Sequence, residues 1–460
     1  MEQSFFKKIG MIAVLVIMLA VPLEIILSVI RERSARRDEA YHDIAATWGA
    51  AQHITGPVLT VPYYDGEGEL NHGYFLPENL DILVELTPET RYRGIFEVIV
   101  YRSVLTVTGA FGRPDFAGWG IEDYQILWDK AALTLGISGL RGVQEVDVFE
   151  WNDQPAFIRP GAQPDPAIHG LTGFLEPVSA EGAEAAVPVS RFGDANTFRI
   201  DLIVNGSRQL AFSPSAGTTL VQVTSPWAHP GFNGSYLPAS RTITEEGFTA
   251  NWQISSFGRD YPDRWHSGDD ASDHHLHMMN TDAFGVELIQ PVNFYTKSER
   301  SVKYGLLIIC LTFLCFFMFE ILNTLKIHPM QYLLVGFGLS IFYLLLVSFA
   351  EQMGFLPAYV VSSIACVGLI TAYTRSFLNR MSATLITGAV LSGFFALFYI
   401  ILRHEGYSLV IGSSSLFAIL ALVMWLTRKL DWYTTFSVRL PKPVIKRRIK
   451  PKKTAEGGVQ

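Results

Sequence analysis

Cysteine is scarce in this 460-residue sequence, and the three cysteines all lie in apolar runs, at Cys310, Cys315 and Cys366. The long polar stretch over residues 31–302 has no cysteine, so it holds no internal disulfide, and cysteine usage gives no indication of redox compartment. The sequence also lacks a Gly-x-Ser-x-Gly elbow, a His-Glu-x-x-His motif and a Walker loop. Their absence removes the strongest sequence signals of serine hydrolases, zinc proteases and ATPases.

Charge is also sparse, and it is unevenly divided along the chain. Charged residues make up 17% of the sequence against 49% hydrophobic residues, and the mean hydropathy is +0.25. Residues 31–302 carry 36 Asp and Glu but only 19 Lys and Arg, whereas Lys and Arg are in excess in the remainder. These counts predict an acidic soluble domain attached to a basic membrane part, and they argue against nucleic acid as a partner.

Long apolar runs are abundant, and six of them are long enough to cross a membrane, which takes about 20 residues. The first follows a short basic stub, and residues 1–30 are predicted to form an uncleaved anchor. Its apolar run is longer than that of a signal peptide, and charged residues occupy the place of a cleavage site. The other five crossings are predicted within residues 303–427, at 304–322, 331–349, 358–374, 383–402 and 408–427.

The distribution of Lys and Arg predicts the orientation of these crossings. The short loops with Lys326 and Arg375, and the basic tail at 428–460, fall on the same side as the N-terminus. That side is cytoplasmic by the positive-inside rule. An arginine cluster just after residue 30 runs against the rule, but long domains are translocated largely regardless of charge. Both termini are therefore expected in the cytoplasm of a bacterial inner membrane, with residues 31–302 in the periplasm.

The soluble stretch changes from a helical to a strand-like pattern. Residues 31–54 mostly lack Gly and Pro and are predicted to extend the anchor as a polar helical stalk. Beyond them, short alternating runs bounded by turn residues predict an antiparallel β domain over 55–302. A weak echo between residues 73–77 and 234–238 leaves open whether this domain is one sandwich or two subdomains. The predicted fold is an α+β membrane protein, with a β-rich, sandwich-like periplasmic domain on a six-helix transmembrane bundle.

Several longer motifs resemble those of one known family. They are Arg91-Tyr-Arg-Gly-Ile-Phe-Glu-Val-Ile-Val-Tyr, Phe198-Arg-Ile-Asp-Leu-Ile-Val-Asn-Gly-Ser-Arg, Trp227-Ala-His-Pro-Gly-Phe-Asn-Gly-Ser-Tyr-Leu-Pro, Arg300-Ser-Val-Lys-Tyr, His328-Pro-Met-Gln-Tyr-Leu-Leu-Val-Gly and Phe342-Tyr-Leu-Leu-Leu-Val-Ser. The chain resembles the CreD family of bacterial inner-membrane cell-envelope integrity proteins. The resemblance implies a role in envelope homeostasis under a two-component stress regulon, with effects on envelope-directed toxins and β-lactam tolerance in relatives. It implies no established reaction and no catalytic residues.

Trp227 and His229 are the first candidate binding residues. They share a turn with Phe232, and an imidazole beside aromatic rings suits acid–base chemistry or ligand binding. Packing of the His-Pro turn against its own aromatic rings is the alternative interpretation.

Glu320 and His328 are the candidates in the predicted bundle. Glu320 lies near the predicted cytoplasmic end of its helix, with Lys326 and His328 six and eight residues further on. An intramembrane carboxylate is a functional candidate by default. A structural alternative is an ion pair or hydrogen bond between Glu320 and these two turn residues.

The histidine-rich segment at residues 258–282 is predicted to be a loop. Its His274, His275 and His277 are of a type that binds copper or zinc. Their spacing fits no standard structural metal site, and a solvated loop has the same composition. No metal site and no cofactor are therefore predicted.

Three classes of function remain open. The first is a non-enzymatic envelope-integrity protein that responds to stress by sensing, binding or scaffolding cell-wall components or envelope proteins through its periplasmic domain. The second is a transporter or flippase of an envelope component, which Glu320 and the glycines of the helices favour, although small residues equally allow close helix packing. The third is an enzyme that acts on a cell-wall component through a convergent site in the β domain.

Overall fold

The chain forms two compact units that share its first helix. The computed structural model describes residues 2–161, 170–175, 192–269, 271–289, 294–323, 327–378 and 381–428. A membrane unit is built on Met1–Glu32 with Phe294–Gln460, and a β unit is built on Arg33–Asn293. The basic tail expected at 428–460 lies, beyond Arg428, outside the described residues.

The membrane unit is a bundle of apolar helices, and one short helix belongs to the β unit. Among the described helices, five are long and apolar enough to cross a membrane, and a sixth crossing results if α3 and α4, bent by 42° at their junction, are taken as one span. This count agrees with the six-helix bundle predicted from the apolar runs. The helices are α1 Glu2–Trp48, α2 Ser272–Thr281, α3 Phe294–Lys303, α4 Gly305–Asn323, α5 Pro329–Met353, α6 Phe355–Leu378, α7 Met381–Arg403 and α8 Ser408–Thr427.

Helix α3 corrects the boundary between the two parts, which was expected at residue 303. Tyr295, Ser298 and Val302 are buried at helical spacing, so α3 packs one face inside the membrane unit. The Tyr295 hydroxyl also donates a hydrogen bond to Glu351 Oε1 at 3.0 Å. The membrane unit therefore begins at Phe294, and the charged residues on the other face of α3 hid this from the hydropathy pattern.

The polar extension of the first helix is shorter than the predicted stalk, which was expected to reach residue 54. Helix α1 ends at Trp48, and the first strand begins at Gln52. Gly49 has a φ of +148°, and a Cβ added there would lie 2.4 Å from the Asn205 carbonyl oxygen. Only glycine fits this close approach, so the helix ends here and the chain turns into the first strand.

The β unit consists of two sheets. Over the described residues the first sheet has nine strands: in spatial order β13 Pro230–Gly234, β17 Phe284–Leu288, β11 Gln209–Phe212, β1 Gln52–Tyr64, β5 Ala132–Ile137, β9 Gly170–Phe174 and β8 Phe157–Pro160, with β2 Leu70–Phe75 beside β1 and β16 Arg264–His266 beside β2. The second has eight strands: β14 Ser240–Ile243, β15 Phe248–Ser255, β12 Thr218–Ser225, β3 Asn79–Arg93, β4 Phe96–Gly112, β10 Ala195–Ser207, β6 Val143–Trp151 and β7 Gln154–Pro155.

Both sheets are mixed, which corrects the expectation of a purely antiparallel domain. Strand β1 runs parallel to β11, with Gln52 opposite Leu210. Strand β12 runs parallel to β3, with Thr218 opposite Asn79. Side-chain alternation records which face of a strand is buried and carries no information about the direction of its neighbour, so the sequence pattern could not reveal these two pairs.

One hydrophobic core joins the two sheets. On β3 the buried side chains alternate with exposed ones, the period-two pattern from which a strand was predicted. Inward-facing Leu80, Ile82 and Val84 of the second sheet belong to the same cluster as Leu59 and Val61 of the first. Because this cluster contains side chains of both sheets, the β unit is one sandwich. The alternative of two subdomains, which the sequence left open, is therefore wrong.

Candidate functional site

Glu320 lies in the last turn of α4, where it meets a cation from the first helix. Its Oε1 accepts a hydrogen bond from the Lys8 ammonium, and its Oε2 accepts one from the Tyr332 hydroxyl at 3.4 Å. Lys8 Nζ also donates to the Ile327 carbonyl at 3.2 Å. The side chains of Lys8 and Glu320 are only 24% and 14% exposed. This mostly buried ion pair connects α1 with the ends of α4 and α5.

Glu320 has a described partner that was not considered from the sequence. Lys326 lies outside the described residues. Among the described residues, the cation in contact with Glu320 is Lys8, which is 312 positions away in the chain. No pattern of local spacing indicates a pair that is so distant in sequence.

His328 is the N-cap residue of α5. Its Nδ1 accepts a hydrogen bond from the Met330 backbone at 3.2 Å, and its own backbone N–H donates to Gln331 Oε1 at 2.8 Å. Pro329 occupies the first position of the helix. This is a capping box in which imidazole replaces the usual hydroxyl, so His328 has a sufficient structural role at the start of α5.

Trp227 and His229 form a turn at the edge of the first sheet. Trp227 Nε1 donates to the His229 carbonyl at 3.1 Å, and the indole ring packs on the sandwich core. The His229 carbonyl also accepts the Ile289 backbone N–H at 3.3 Å, while its side chain is exposed. The described hydrogen bonds of His229 are made by its backbone, and a binding role for its imidazole stays a prediction.

The histidine-rich segment contains helix α2, which corrects the predicted loop. Leu276 and Met279 are buried three residues apart, and they pack with Trp265 in a small core beneath the helix. The many Asp, His and Ser residues around them hid this short apolar stripe from the sequence pattern.

The three histidines of α2 differ in exposure. His274 and His277 are exposed, whereas His275 is half-buried with its ring 6.0 Å from that of Trp265. Within the part of the chain that the structure describes, no group of three or more His, Cys, Asp or Glu side chains is arranged to hold a metal ion.

A serine–histidine pair lies beside α2, on the face of the first sheet that is turned away from the sandwich core. His53 Nε2 lies 2.9 Å from Ser213 Oγ, and the Ser213 hydroxyl donates to the Met279 carbonyl at 2.7 Å. Burial lowers the pKa of His53. Ser213 is only 1% exposed, so a substrate has no access to its hydroxyl. This pair is a polar contact beneath α2 and gives no support to a hydrolase.

A cleft of about 530 Å³ in the β unit was not indicated by the sequence. It is lined by the last third of α1, the start of β4, the turn between β10 and β11, and the end of β17. Four segments that are far apart in the chain form its walls. Because β4 and β17 belong to different sheets, the site depends on how the two sheets and α1 pack together, which the alternation pattern does not reveal.

Arg208 occupies the turn between β10 and β11 at the wall of this cleft. Its φ is +63°, a left-handed conformation that few residues other than glycine adopt. Its Nε donates to Glu287 Oε1 at 2.7 Å, and this hydrogen bond raises the pKa of Arg208. Glu287 Oε2 accepts from Asn233 Nδ2 at 3.4 Å, and Asn233 Oδ1 accepts from Gln209 Nε2 at 3.3 Å. This chain of hydrogen bonds holds the guanidinium in place.

The helical wall of the cleft is also tied to the sandwich. The Tyr41 hydroxyl lies 3.1 Å from Ser207 Oγ, one residue before Arg208. On the same helix, Arg37 pairs with Asp38 at 2.8 Å. Side-chain contacts therefore hold both the helical wall and the strand wall of the cleft in place.

Together these features define a multi-pass membrane protein with one β-sandwich domain between its first crossing and the others. The chain belongs to the CreD family: the family profile described as inner membrane protein CreD matches residues 4–433. This confirms the resemblance seen in its motifs. The protein is thus an inner-membrane protein in contact with the lipid bilayer.

An individual relative matches the chain over nearly its whole length. The chain is 29% identical over 454 residues to inner membrane protein CreD of Escherichia coli, with 96% of each sequence covered. Among solved structures, an M1 zinc metallopeptidase from Deinococcus radiodurans aligns with 41% of this chain and 40% of that one, at 15% identity. The TM-score of 0.19 is too low for this likeness to carry any argument.

Proposed function

We propose that this protein maintains the integrity of the cell envelope under stress by binding an envelope component through its β domain, without catalysing a reaction. The observation that carries the proposal is the Arg208 cleft, where a positioned guanidinium lines a space of about 530 Å³. Ligand pockets have volumes of roughly 300–1,000 Å³. The described residues that line the cleft include no serine, threonine, cysteine or lysine nucleophile. The support for binding is therefore the size of the cleft and its positioned guanidinium.

The test of this function uses a strain that lacks the chromosomal copy. Complementation with the wild-type chain is expected to restore survival under an envelope-directed β-lactam or toxin, and Arg208→Gln is expected to lose that protection at equal protein abundance. Arg199→Gln is the matched control, because Arg199 is similarly exposed and pairs with Asp201 at 2.8 Å on the same β unit, outside the cleft. A wild-type chain that gives no protection would refute the function, and an Arg208→Gln variant that protects fully would remove the cleft from it.

We further propose that the β unit lies in the periplasm and that both termini are cytoplasmic. The distribution of Lys and Arg over the short loops supports this orientation. Alkaline phosphatase fused at Gln154 is expected to be active, and green fluorescent protein fused at Asn379 is expected to fluoresce. An active phosphatase at Asn379 together with an inactive one at Gln154 would reverse the orientation.

The geometry at Glu320 favours a structural role for this carboxylate over a role in transport. Its charge is already compensated by Lys8, and its second oxygen accepts from Tyr332. A substrate or ion that used Glu320 would first have to displace this ammonium. Transport is therefore not carried forward as a second function.

A further inference from the structure

We infer that the Arg208 cleft binds a zwitterion, namely an amino acid or short peptide with a free carboxylate and a free ammonium group. This inference rests on the proposed function, because it names the ligand class of the same cleft. The ligand class is inferred from the charged groups of the cleft, some of which are already paired with each other while others are not.

Arg208 supplies the recognition of the carboxylate. A guanidinium has five N–H donors in a planar fork, and Nε makes the only described hydrogen bond of the Arg208 side chain, to Glu287. The Nη donors remain available on a side chain that is 65% exposed. A pair of parallel N–H donors matches the two oxygens of a carboxylate. The chain from Glu287 through Asn233 to Gln209 fixes the fork before a ligand arrives, which lowers the entropic cost of binding.

Glu97 supplies the recognition of the ammonium group. The lining holds three carboxylates and two arginines. Two of these carboxylates are paired, Glu287 with Arg208 and Asp38 with Arg37. Glu97, at the start of β4, is exposed and has no described ion pair. The excess carboxylate disfavours a multiply charged anion such as phosphate and favours a ligand that brings its own cation.

Apolar side chains lie among these charges. Ile99 is half-buried in the lining, and Ile289 is 46% exposed at its edge. They offer a contact surface for an aliphatic side chain. The ligand class that matches all three features is a short peptide with an aliphatic residue and both termini free.

The first experiment changes the ligand and leaves the protein intact. The full-length protein in detergent is titrated by calorimetry with leucyl-alanine, with its C-terminal amide and with its N-acetyl derivative. The free dipeptide is expected to bind, and each blocked form is expected to bind at least tenfold more weakly, because each leaves one charged group of the cleft without its partner. Equal affinity for the three probes, or no binding of the free dipeptide at millimolar concentration, would overturn the inference.

The second experiment changes one wall of the cleft at a time. Arg208→Gln is expected to weaken binding of the free dipeptide at least tenfold without further effect on the amide. Glu97→Gln is expected to do the same without further effect on the N-acetyl form. Arg199→Gln, the control outside the cleft, is expected to bind all three probes like the wild type. Loss of affinity for every probe alike in both cleft variants would contradict the assignment of the two charges.

Failure of the inference and failure of the proposed function are distinguishable. If the dipeptide does not bind while the wild-type chain still protects cells, the zwitterion site is wrong and the envelope function stands. If the dipeptide binds as described but the wild-type chain gives no protection, the site stands and the function is wrong.

Discussion

Replacing Lys8 by methionine is expected to destabilise the membrane unit by roughly 3 kcal/mol, because the Glu320 carboxylate is then left mostly buried without its cation. A thiol-reactive dye followed during heating measures this effect. Cys310, Cys315 and Cys366 are buried or half-buried in α4 and α6, so their exposure reports on unfolding of this unit. The unfolding midpoint of Lys8→Met should fall well below that of the wild type.

The double variant Lys8→Met with Glu320→Leu separates loss of a pair from creation of an unpaired charge. It is expected to recover most of the lost stability, because neither charge then remains buried alone. Lys303→Met is the control, because its pair with Glu299 at 3.1 Å has a 56% exposed lysine and contributes little. Equal losses in the single and double variants would show that the ion pair is not the cause. Full protection of stressed cells by the double variant would argue against transport through Glu320.

Replacing Trp252 by alanine is expected to cost the β unit about 3–5 kcal/mol, the range for truncating a buried aromatic side chain. Trp252 is 1% exposed, and its ring lies 5.8 Å from that of Phe232 and 5.7 Å from that of Phe284. Its Nε1 also donates to the Tyr236 carbonyl at 3.2 Å, and this acceptor loses its partner. Limited proteolysis of the full-length protein should cut the β unit of the variant much faster than that of the wild type.

Phe257→Ala is the matched aromatic control. Phe257 is 99% exposed at the end of the same strand-and-turn segment, and its removal is expected to change stability by less than about 0.5 kcal/mol. If Trp252→Ala resisted protease as well as Phe257→Ala, the sandwich core would not depend on this aromatic cluster.

The sequence predicted those parts of the fold that depend on local pattern. The alternation in β3 predicted a half-buried strand, because every second side chain faces the core. The apolar runs predicted the membrane helices, because a helix that crosses the lipid core needs a continuous stretch of apolar residues. Helix α3 and helix α2 were missed for one shared reason: each buries only a few side chains, and these stand among charged or polar neighbours.

The candidate sites were harder to predict because they depend on contacts between distant segments. His328 was predicted as a candidate binding residue, and its described hydrogen bonds belong to a helix cap. Glu320 was singled out too, but its cation comes from the other end of the chain. Arg208 lies within one of the family motifs but was not predicted as a site residue, because Glu287 and the helix around Tyr41 approach it only in the tertiary fold.

The mixed first sheet has a consequence for how this protein is made. Its central strand β1 pairs with β11, some 150 residues later in the chain, and β11 in turn pairs with β17, which ends at Leu288. A sheet closed by such late strands forms slowly, because distant segments must meet before any of their contacts contribute. Until the ribosome has passed Leu288, the early strands have unpaired edges that are open to wrong partners. Biogenesis of the β unit is therefore expected to finish only as the next membrane helix is being synthesised.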